Sequence, residues 1–142
     1  MGNSASQKTI TAETAMKACQ AAVKKAGEME FAICVAVYDS SAQLKAYLRM
    51  EGAPMASAQI AEDKAYTSAS FQSTTDSMFE WIKTDEPLLH GLNRYGRMIT
   101  FGGGYPIKED GQLIGAIGIS GGHYTQDMEC CKAALEAIGL AA

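Results

Sequence analysis

The chain has 142 residues, a formal net charge of −4 and four cysteines. This length suits one domain with a core of its own, and the scattered basic residues exclude the cationic face that a nucleic-acid partner requires. No apolar run reaches the length of a membrane span and no secretory signal pattern opens the chain, so we expect a cytoplasmic protein without a membrane partner. The cysteines lack metal-ligand spacing, so we expect them buried and reduced, with no bound metal: Cys19, Cys34, Cys130 and Cys131.

The start of the chain predicts a polar tail followed by an amphipathic helix. Residues 1–8 are polar and are interpreted as a flexible tail, and residues 9–142 as a single domain. From Thr11, which is a suitable N-cap, apolar residues recur at helical spacing until Gly27. We therefore expect the first helix to begin after Thr11 and to end at this glycine.

Two strands and further helices are predicted in the middle of the chain. The apolar run Phe31–Tyr38 is typical of a central strand, and Leu44–Met50 follows it after a polar turn. An alanine-rich helix is expected over Ser57–Phe71 and a shorter one over Thr74–Ile82. The segment Thr84–Arg97 contains proline and glycine and is interpreted as a long irregular connection.

The last third of the chain is rich in glycine and predicts a hairpin and a final helix. The apolar runs Met98–Phe101 and Leu113–Ser120 lie on either side of a turn at Glu109–Gly111, whose Asp-Gly pair tolerates positive φ. Helical spacing then returns over Thr125–Ile138, with Thr125 as the expected N-cap. Strand pairs joined by tight turns predict an α+β fold, with a central antiparallel sheet of about five strands flanked by helices.

Lys64 and Arg49 are the first candidates for chemistry. Lys64 shares a narrow stripe of the second helix with Ile60, Thr67 and Phe71, so its ammonium either snorkels outward or enters a polar pocket. Arg49 ends the second strand, where its guanidinium either binds a carboxylate or forms a surface ion pair. Each position therefore allows a structural and a functional interpretation.

Two glycine clusters, the first at Gly102–Gly104 and the second at Gly121–Gly122, lie at strand ends and indicate a small-molecule site. Backbone N–H groups can be left free there, and neither cluster has the pattern of a phosphate loop or a dinucleotide site. His123 directly follows one cluster, and His90 lies in the long connection. Either histidine could be an acid, a base or a haem ligand, or simply an exposed side chain. The remaining candidates for the substrate site are Gly102, Gly103, Gly104, Tyr105, Ser120 and Gly121.

Several segments, in this order, carry a family resemblance: Arg49–Ala53, Lys64–Ala69, Gly102–Ile107, Ile114–Gly122 and Asp127. In this combination the chain resembles the GlcG/HbpS-like family. The resemblance implies a profilin-like sheet flanked by helices and assembly into a homo-oligomer, as a dimer or larger. It also gives weight to the positions of Arg49, Lys64 and Ser120. Members are described as haem-binding or haem-degrading, and others as cofactor-independent lyases or decarboxylases.

Two functional hypotheses follow from the residues and the resemblance together. In the first, a metal-free carbon–carbon lyase or decarboxylase of aromatic catabolism acts on an aromatic or unsaturated carboxylate without a cofactor. Arg49 and Lys64 would hold the anion, and His123 would move a proton. In the second, the domain binds haem, with propionates on Arg49 or Lys64 and the iron at a histidine. Helical geometry predicts that Lys64 turns toward the sheet, and we expect Lys64, Arg49 and His123 to converge on one pocket beneath the two glycine clusters.

Overall fold

The computed structural model describes residues 2–142 of the chain. The helices are α1 (Ala12–Glu28), α2 (Ser57–Phe71), α3 (Thr75–Ile82), α4 (Glu86–Leu92) and α5 (Tyr124–Ala137). The strands are β1 (Cys34–Asp39), β2 (Leu44–Arg49), β3 (Gly104–Glu109) and β4 (Gln112–Ser120). The strands form one open antiparallel sheet in the order β2-β1-β4-β3. The predicted α+β fold is confirmed.

The two faces of the sheet are covered by different helices. Alternate residues of the central strands, among them Val35 and Ile117, pack with buried residues of α1 and α5 in the main core. On the other face α2 lies against β4 and β1, where Ala36 and Ala65 are buried together. The sheet is therefore the middle of three layers.

A glycine lets α2 approach the sheet closely. A Cβ placed on Gly118 would lie 2.5 Å from the backbone nitrogen of Ala65, and it would also meet the carbonyl oxygen of Ala61. Backbone atoms of a helix cannot move aside as the end of a flexible side chain can. The absence of a side chain at Gly118 thus sets the distance between α2 and β4.

The glycine-rich hairpin forms with the predicted turn. Asp110 and Gly111 have φ values of 52° and 77°, as a two-residue hairpin turn of the primed type requires. Strands β3 and β4 pair on either side of it, with Glu109 opposite Gln112. Thr11 caps α1 through its side chain, as predicted.

The expected number of about five strands is wrong, because the sheet has four within residues 2–142. The apolar run Met98–Phe101, predicted to be a strand, has no strand partner in this part of the chain. Its backbone is bound to a side chain of α2 instead. The Thr67 hydroxyl accepts a hydrogen bond from the N–H of Ile99 at 3.0 Å and lies 2.9 Å from the carbonyl oxygen of Arg97.

Two local predictions also need correction. The segment interpreted as an irregular connection contains α4, because Asp85 accepts a hydrogen bond from the N–H of Leu88 and a proline occupies the first turn. The N-cap of α5 is His123 rather than Thr125, since the imidazole accepts a hydrogen bond from the N–H of Thr125. Met1 of the expected tail lies outside the described residues, and residues 2–9 are exposed. Within residues 2–142, no helix is long and apolar enough to cross a membrane.

Candidate functional site

Lys64 lies at the centre of a buried polar cluster between α2 and α5. Its Nζ donates to the carbonyl oxygen of Ile119 at 2.8 Å and to Asp127 Oδ2 at 3.1 Å. The side chains of Lys64 and Asp127 are 1% and 2% exposed. The prediction that Lys64 turns toward the sheet is confirmed, and its ammonium does not snorkel into solvent.

Asp127 connects this ammonium to the second glycine cluster. Its Oδ1 accepts a hydrogen bond from the N–H of Gly122 at 3.1 Å, and its own N–H donates to the carbonyl oxygen of His123 at 3.1 Å. Burial raises the pKa of Asp127 above its usual 3.8 and lowers the pKa of Lys64 below its usual 10.5. The attraction between the two groups opposes both shifts.

Gly103 leaves the space that the ammonium occupies. A Cβ on this glycine would lie 2.5 Å from Lys64 Nζ, and the backbone there has a φ of 120°, which side-chain-bearing residues rarely adopt. Its carbonyl oxygen also accepts a hydrogen bond from the buried thiol of Cys131 at 3.3 Å. The first glycine cluster is therefore needed for packing around Lys64.

Phe101 lies between this cluster and an open cavity. Lys64 Nζ is 5.1 Å from the centre of the Phe101 ring. The cavity beyond has a volume of about 290 Å³ and is lined by Asp76, Phe79, Glu80, Thr100, Phe101, Gly102 and Tyr124. Three of these are aromatic, and they remain 42–44% exposed. We call this cavity the aromatic pocket.

Asp76, one of the residues that line the aromatic pocket, has a carboxylate oxygen that is buried in the protein and lacks a partner in the described part of the chain. Among residues 2–142, Asp76 Oδ1 is buried and makes no hydrogen bond. Asp76 belongs to the first turn of α3, and the neighbouring Thr75 hydroxyl accepts a hydrogen bond from the N–H of Gly104 at 2.9 Å. The start of α3 is thereby fixed to β3.

His123 lies beside the aromatic pocket, at the start of α5. Its ring stacks on that of Tyr124 with 4.2 Å between centroids, and Nδ1 lies 2.9 Å from the Thr125 hydroxyl. Within residues 2–142, Nε2 makes no hydrogen bond. Lys64 and His123 thus both lie near Asp127, but the ammonium is buried whereas the imidazole is exposed.

The other predicted site residues lie elsewhere. Arg49 is exposed at the end of β2 and lines a separate groove with Glu51. It pairs with Cys34, which pairs with Ser120, so two strand spacings, about 10 Å, separate Arg49 from the end of β4. His90 is exposed on α4.

Tyr105 is buried in the main core, where desolvation raises its pKa to about 12. Ser120 is buried at the end of β4. The four cysteines are buried and free, as expected. No group of histidine, cysteine or acidic side chains within residues 2–142 could hold a metal ion.

Sequence reasoning missed most of the aromatic pocket. Asp76, Phe79 and Glu80 are spaced to share one side of a helix, which was the available signal. Phe101 and Tyr124 come from two other segments, and only the fold brings them together.

The comparisons with known proteins bear on this site. Residues 10–136 match the family model described as "Haem degrading protein HbpS-like". The chain belongs to the HbpS-like family. This confirms the predicted family and supports a role in binding a small molecule.

Individual relatives agree with this membership. The corrinoid adenosyltransferase PduO of Salmonella typhimurium is 33% identical over 123 residues, which cover 85% of this chain and 36% of PduO. The chain therefore spans about a third of the length of this relative. Among solved structures, the Klebsiella pneumoniae protein ORFY has a TM-score of 0.92 and 31% identity, with 100% of this chain and 99% of ORFY covered. A structure titled as a PduOC:heme complex has a TM-score of 0.86 and 30% identity, with 94% and 97% covered.

Proposed function

We propose that this chain binds haem in the aromatic pocket. The observation that carries the proposal is an open cavity with walls of Phe79, Phe101 and Tyr124, beside a histidine that stacks on one of those walls. The similarity to a haem complex of PduOC supports it. Aromatic side chains that remain half exposed suit a flat apolar ligand, whose binding would remove their surface from water.

The residues present fit the macrocycle and the iron better than the propionates. His123 Nε2 and the Tyr124 hydroxyl are donors of the types that ligate haem iron. Neither lysine nor arginine lines the aromatic pocket within the described residues. We therefore expect the propionates at the open mouth, facing solvent. Bound haem would supply redox and gas-binding chemistry, whereas the chain would orient it and limit its access to water.

Titration with hemin tests the proposal. The unchanged protein should give a saturable shift of the Soret band at one hemin per chain, and His123→Ala should alter the bound spectrum. His90→Ala is the matched control, because this exposed histidine lies on α4. Weak, non-saturable binding that is indifferent to both substitutions would contradict the proposal.

A cofactor-independent lyase or decarboxylase is our second candidate, and one observation favours it. The buried ammonium of Lys64 lies directly behind Phe101, so movement of this ring would bring a cation to the aromatic pocket. A carboxylate could then be held and polarised there. Arg49 would not take part, because it lines a separate groove. Release of CO₂ from a panel of aromatic carboxylates by the unchanged protein, and its loss in Lys64→Met, would support this candidate.

We also propose that the protein forms a homo-oligomer. Phe71 and Trp81 are partly exposed, and their rings lie 6.1 Å apart at the ends of α2 and α3. Clustered surface aromatics of this kind are enriched where proteins associate.

A further inference from the structure

We infer that Thr67 is a positioning residue of the aromatic pocket. Its buried hydroxyl holds the start of the segment that carries Phe101, and the ring of Phe101 is one of the pocket walls. Thr67 thereby sets the affinity of the pocket for its ligand without touching that ligand. The inference rests on the proposed function, because haem is the ligand whose affinity is measured.

The first step concerns how much of the aromatic pocket this segment provides. Three lining residues are consecutive in the chain, namely Thr100, Phe101 and Gly102. Within residues 2–142, the backbone of these three residues makes no hydrogen bond to another backbone group. Their backbone is therefore held in place through the residues on either side.

The second step concerns the anchor that precedes the pocket wall. The Thr67 side chain is fully buried, and its hydroxyl accepts a hydrogen bond from the N–H of Ile99 at 3.0 Å. The same oxygen lies 2.9 Å from the carbonyl oxygen of Arg97 and 2.8 Å from that of Asp63, one turn earlier in α2. A hydroxyl has one proton, so it donates to one carbonyl at a time while it accepts from Ile99. One side chain thus connects residues 97–99 to α2.

The side chain of Arg97 supplements this anchor. Its Nε donates to Asp63 Oδ1 at 2.9 Å, a second guanidinium nitrogen donates to the Tyr38 hydroxyl at 2.7 Å, and Cζ lies 4.2 Å from the centre of the Tyr66 ring. The Arg97 side chain is 38% exposed, so solvent competes with these contacts and weakens them. We therefore assign the larger effect to Thr67, whose hydroxyl is shielded from water.

The third step concerns the anchor that follows the pocket wall. The carbonyl oxygen of Gly103 accepts a hydrogen bond from the N–H of Ile119 at 2.8 Å, and the N–H of Gly104 donates to the Thr75 hydroxyl at 2.9 Å. Neither bond involves Thr67. Loss of the Thr67 hydroxyl should therefore release the segment at one end only, so that Phe101 can leave its place while the sheet stays intact.

Lys64 provides a readout of the position of Phe101 that needs no ligand. Lys64 and Thr67 lie three residues apart and share one side of α2, and Lys64 Nζ is 5.1 Å from the centre of the Phe101 ring. An aromatic ring shifts the NMR signals of protons that lie over its face. The Lys64 Hε signals should therefore be displaced upfield while the wall is in place.

Hemin titration of matched variants tests the effect on affinity. We expect Thr67→Val, which keeps the shape but removes the hydroxyl, to weaken hemin binding roughly fivefold to tenfold, because the pocket is then formed for a smaller fraction of the time. Thr67→Ser keeps the hydroxyl and should restore the affinity to within about twofold of the unchanged protein. Arg97→Gln should weaken binding in the same direction but less, and it decides the question by the same measurements if Thr67→Val does not fold.

Ile10→Val controls for a general loss of stability. Ile10 is buried at the opposite end of β4, where its N–H donates to the carbonyl oxygen of Ile114. This variant should lower the melting temperature without changing hemin affinity. An equal loss of affinity in Ile10→Val would overturn the inference, because the effect of Thr67→Val would then be one of stability alone.

Two ligand-free measurements separate the inference from the haem proposal. In Thr67→Val the amide of Ile99 should exchange its hydrogen faster and the Lys64 Hε signals should lose their upfield displacement, whereas the amides of β4 should keep their protection. Unchanged exchange and unchanged signals would overturn the inference, and so would a released segment with unaltered hemin affinity, which leaves the haem proposal intact. If the unchanged protein does not bind hemin, the haem proposal fails, and the exchange and the Lys64 signals alone confirm or refute that Thr67 positions Phe101.

Discussion

Lys64 Nζ and Asp127 Oδ2 lie 3.1 Å apart in a nearly solvent-free environment, and they connect α2 to α5 at one end of the sheet. The ammonium occupies the space that a side chain at Gly103 would need, and the carboxylate accepts a hydrogen bond from the N–H of Gly122. The pair thus holds both glycine clusters in place, one on each side. Its immediate neighbour Phe101 forms a wall of the aromatic pocket.

The buried pair should be strongly non-additive in its contribution to stability. Lys64→Met or Asp127→Asn alone leaves one buried charged group without its partner, which should lower the free energy of unfolding by about 3–5 kcal/mol. The double variant Lys64→Met/Asp127→Asn should lose far less than the sum, and urea denaturation measures all three. The exposed Lys132–Glu129 pair is the control, for which the same cycle should give under about 1 kcal/mol. Additive losses at Lys64 and Asp127 would refute a direct energetic coupling.

The pKa of Lys64 should lie below its usual 10.5, because burial disfavours the charged form. Asp127 opposes this shift, so Asp127→Asn should lower the pKa of Lys64 further. The stability penalty from desolvating the charged amine is fully present below the lowered pKa, and it is relieved as pH rises from that value toward 10.5. Carbon-13 NMR of the Lys64 Cε measures the titration. A pKa at or above 10.5 in the unchanged protein would contradict the argument.

Gly118→Ala should destabilise the protein by about 1–3 kcal/mol, because its methyl group would meet the backbone of α2. Gly27→Ala is the matched control in α1, where a Cβ has nothing within 4 Å. Since alanine is the better helix former, that change should stabilise by about 0.5–1 kcal/mol. Chemical denaturation of both variants measures the two effects, and effects of the same sign would show that α2 does not approach β4 as described.

Static light scattering should give a mass of at least two chains at micromolar concentration. Charged replacements at Phe71 and Trp81 should reduce it if the exposed pair lies in the subunit contact. A mass near the 15.1 kDa of a single chain would contradict oligomer formation.

Local sequence signals predicted most of the fold. Helix α2 has its expected bounds, Ser57–Phe71, and the Asp-Gly turn forms the expected hairpin. The run Met98–Phe101 has the composition of a strand, but the Thr67 side chain binds its backbone. No local pattern can report such a tertiary hydrogen bond, and this explains why a strand was expected at Met98–Phe101 rather than at Gly104–Glu109.

The candidate site was less predictable for a related reason. Helical periodicity was sufficient to predict that Lys64 turns toward the sheet, and the glycine clusters identified the segments around it. The walls of the aromatic pocket come from α3, from the loop before β3 and from α5. Phe79, Phe101 and Tyr124 have no common spacing in the sequence, so their proximity follows only from the three-layer packing.

Chemical-shift mapping with gallium(III) protoporphyrin IX, a diamagnetic analogue of hemin, tests the central proposal most directly. Amide signals should move in a saturable way at one equivalent, with the largest changes at Phe79, Glu80, Tyr124 and the loop Thr100–Gly102. The groove formed by Arg49 and residues 50–53 provides an internal control, and its signals should remain unchanged. Shifts centred on that groove, or small non-saturable shifts spread over the surface, would contradict haem binding in the aromatic pocket.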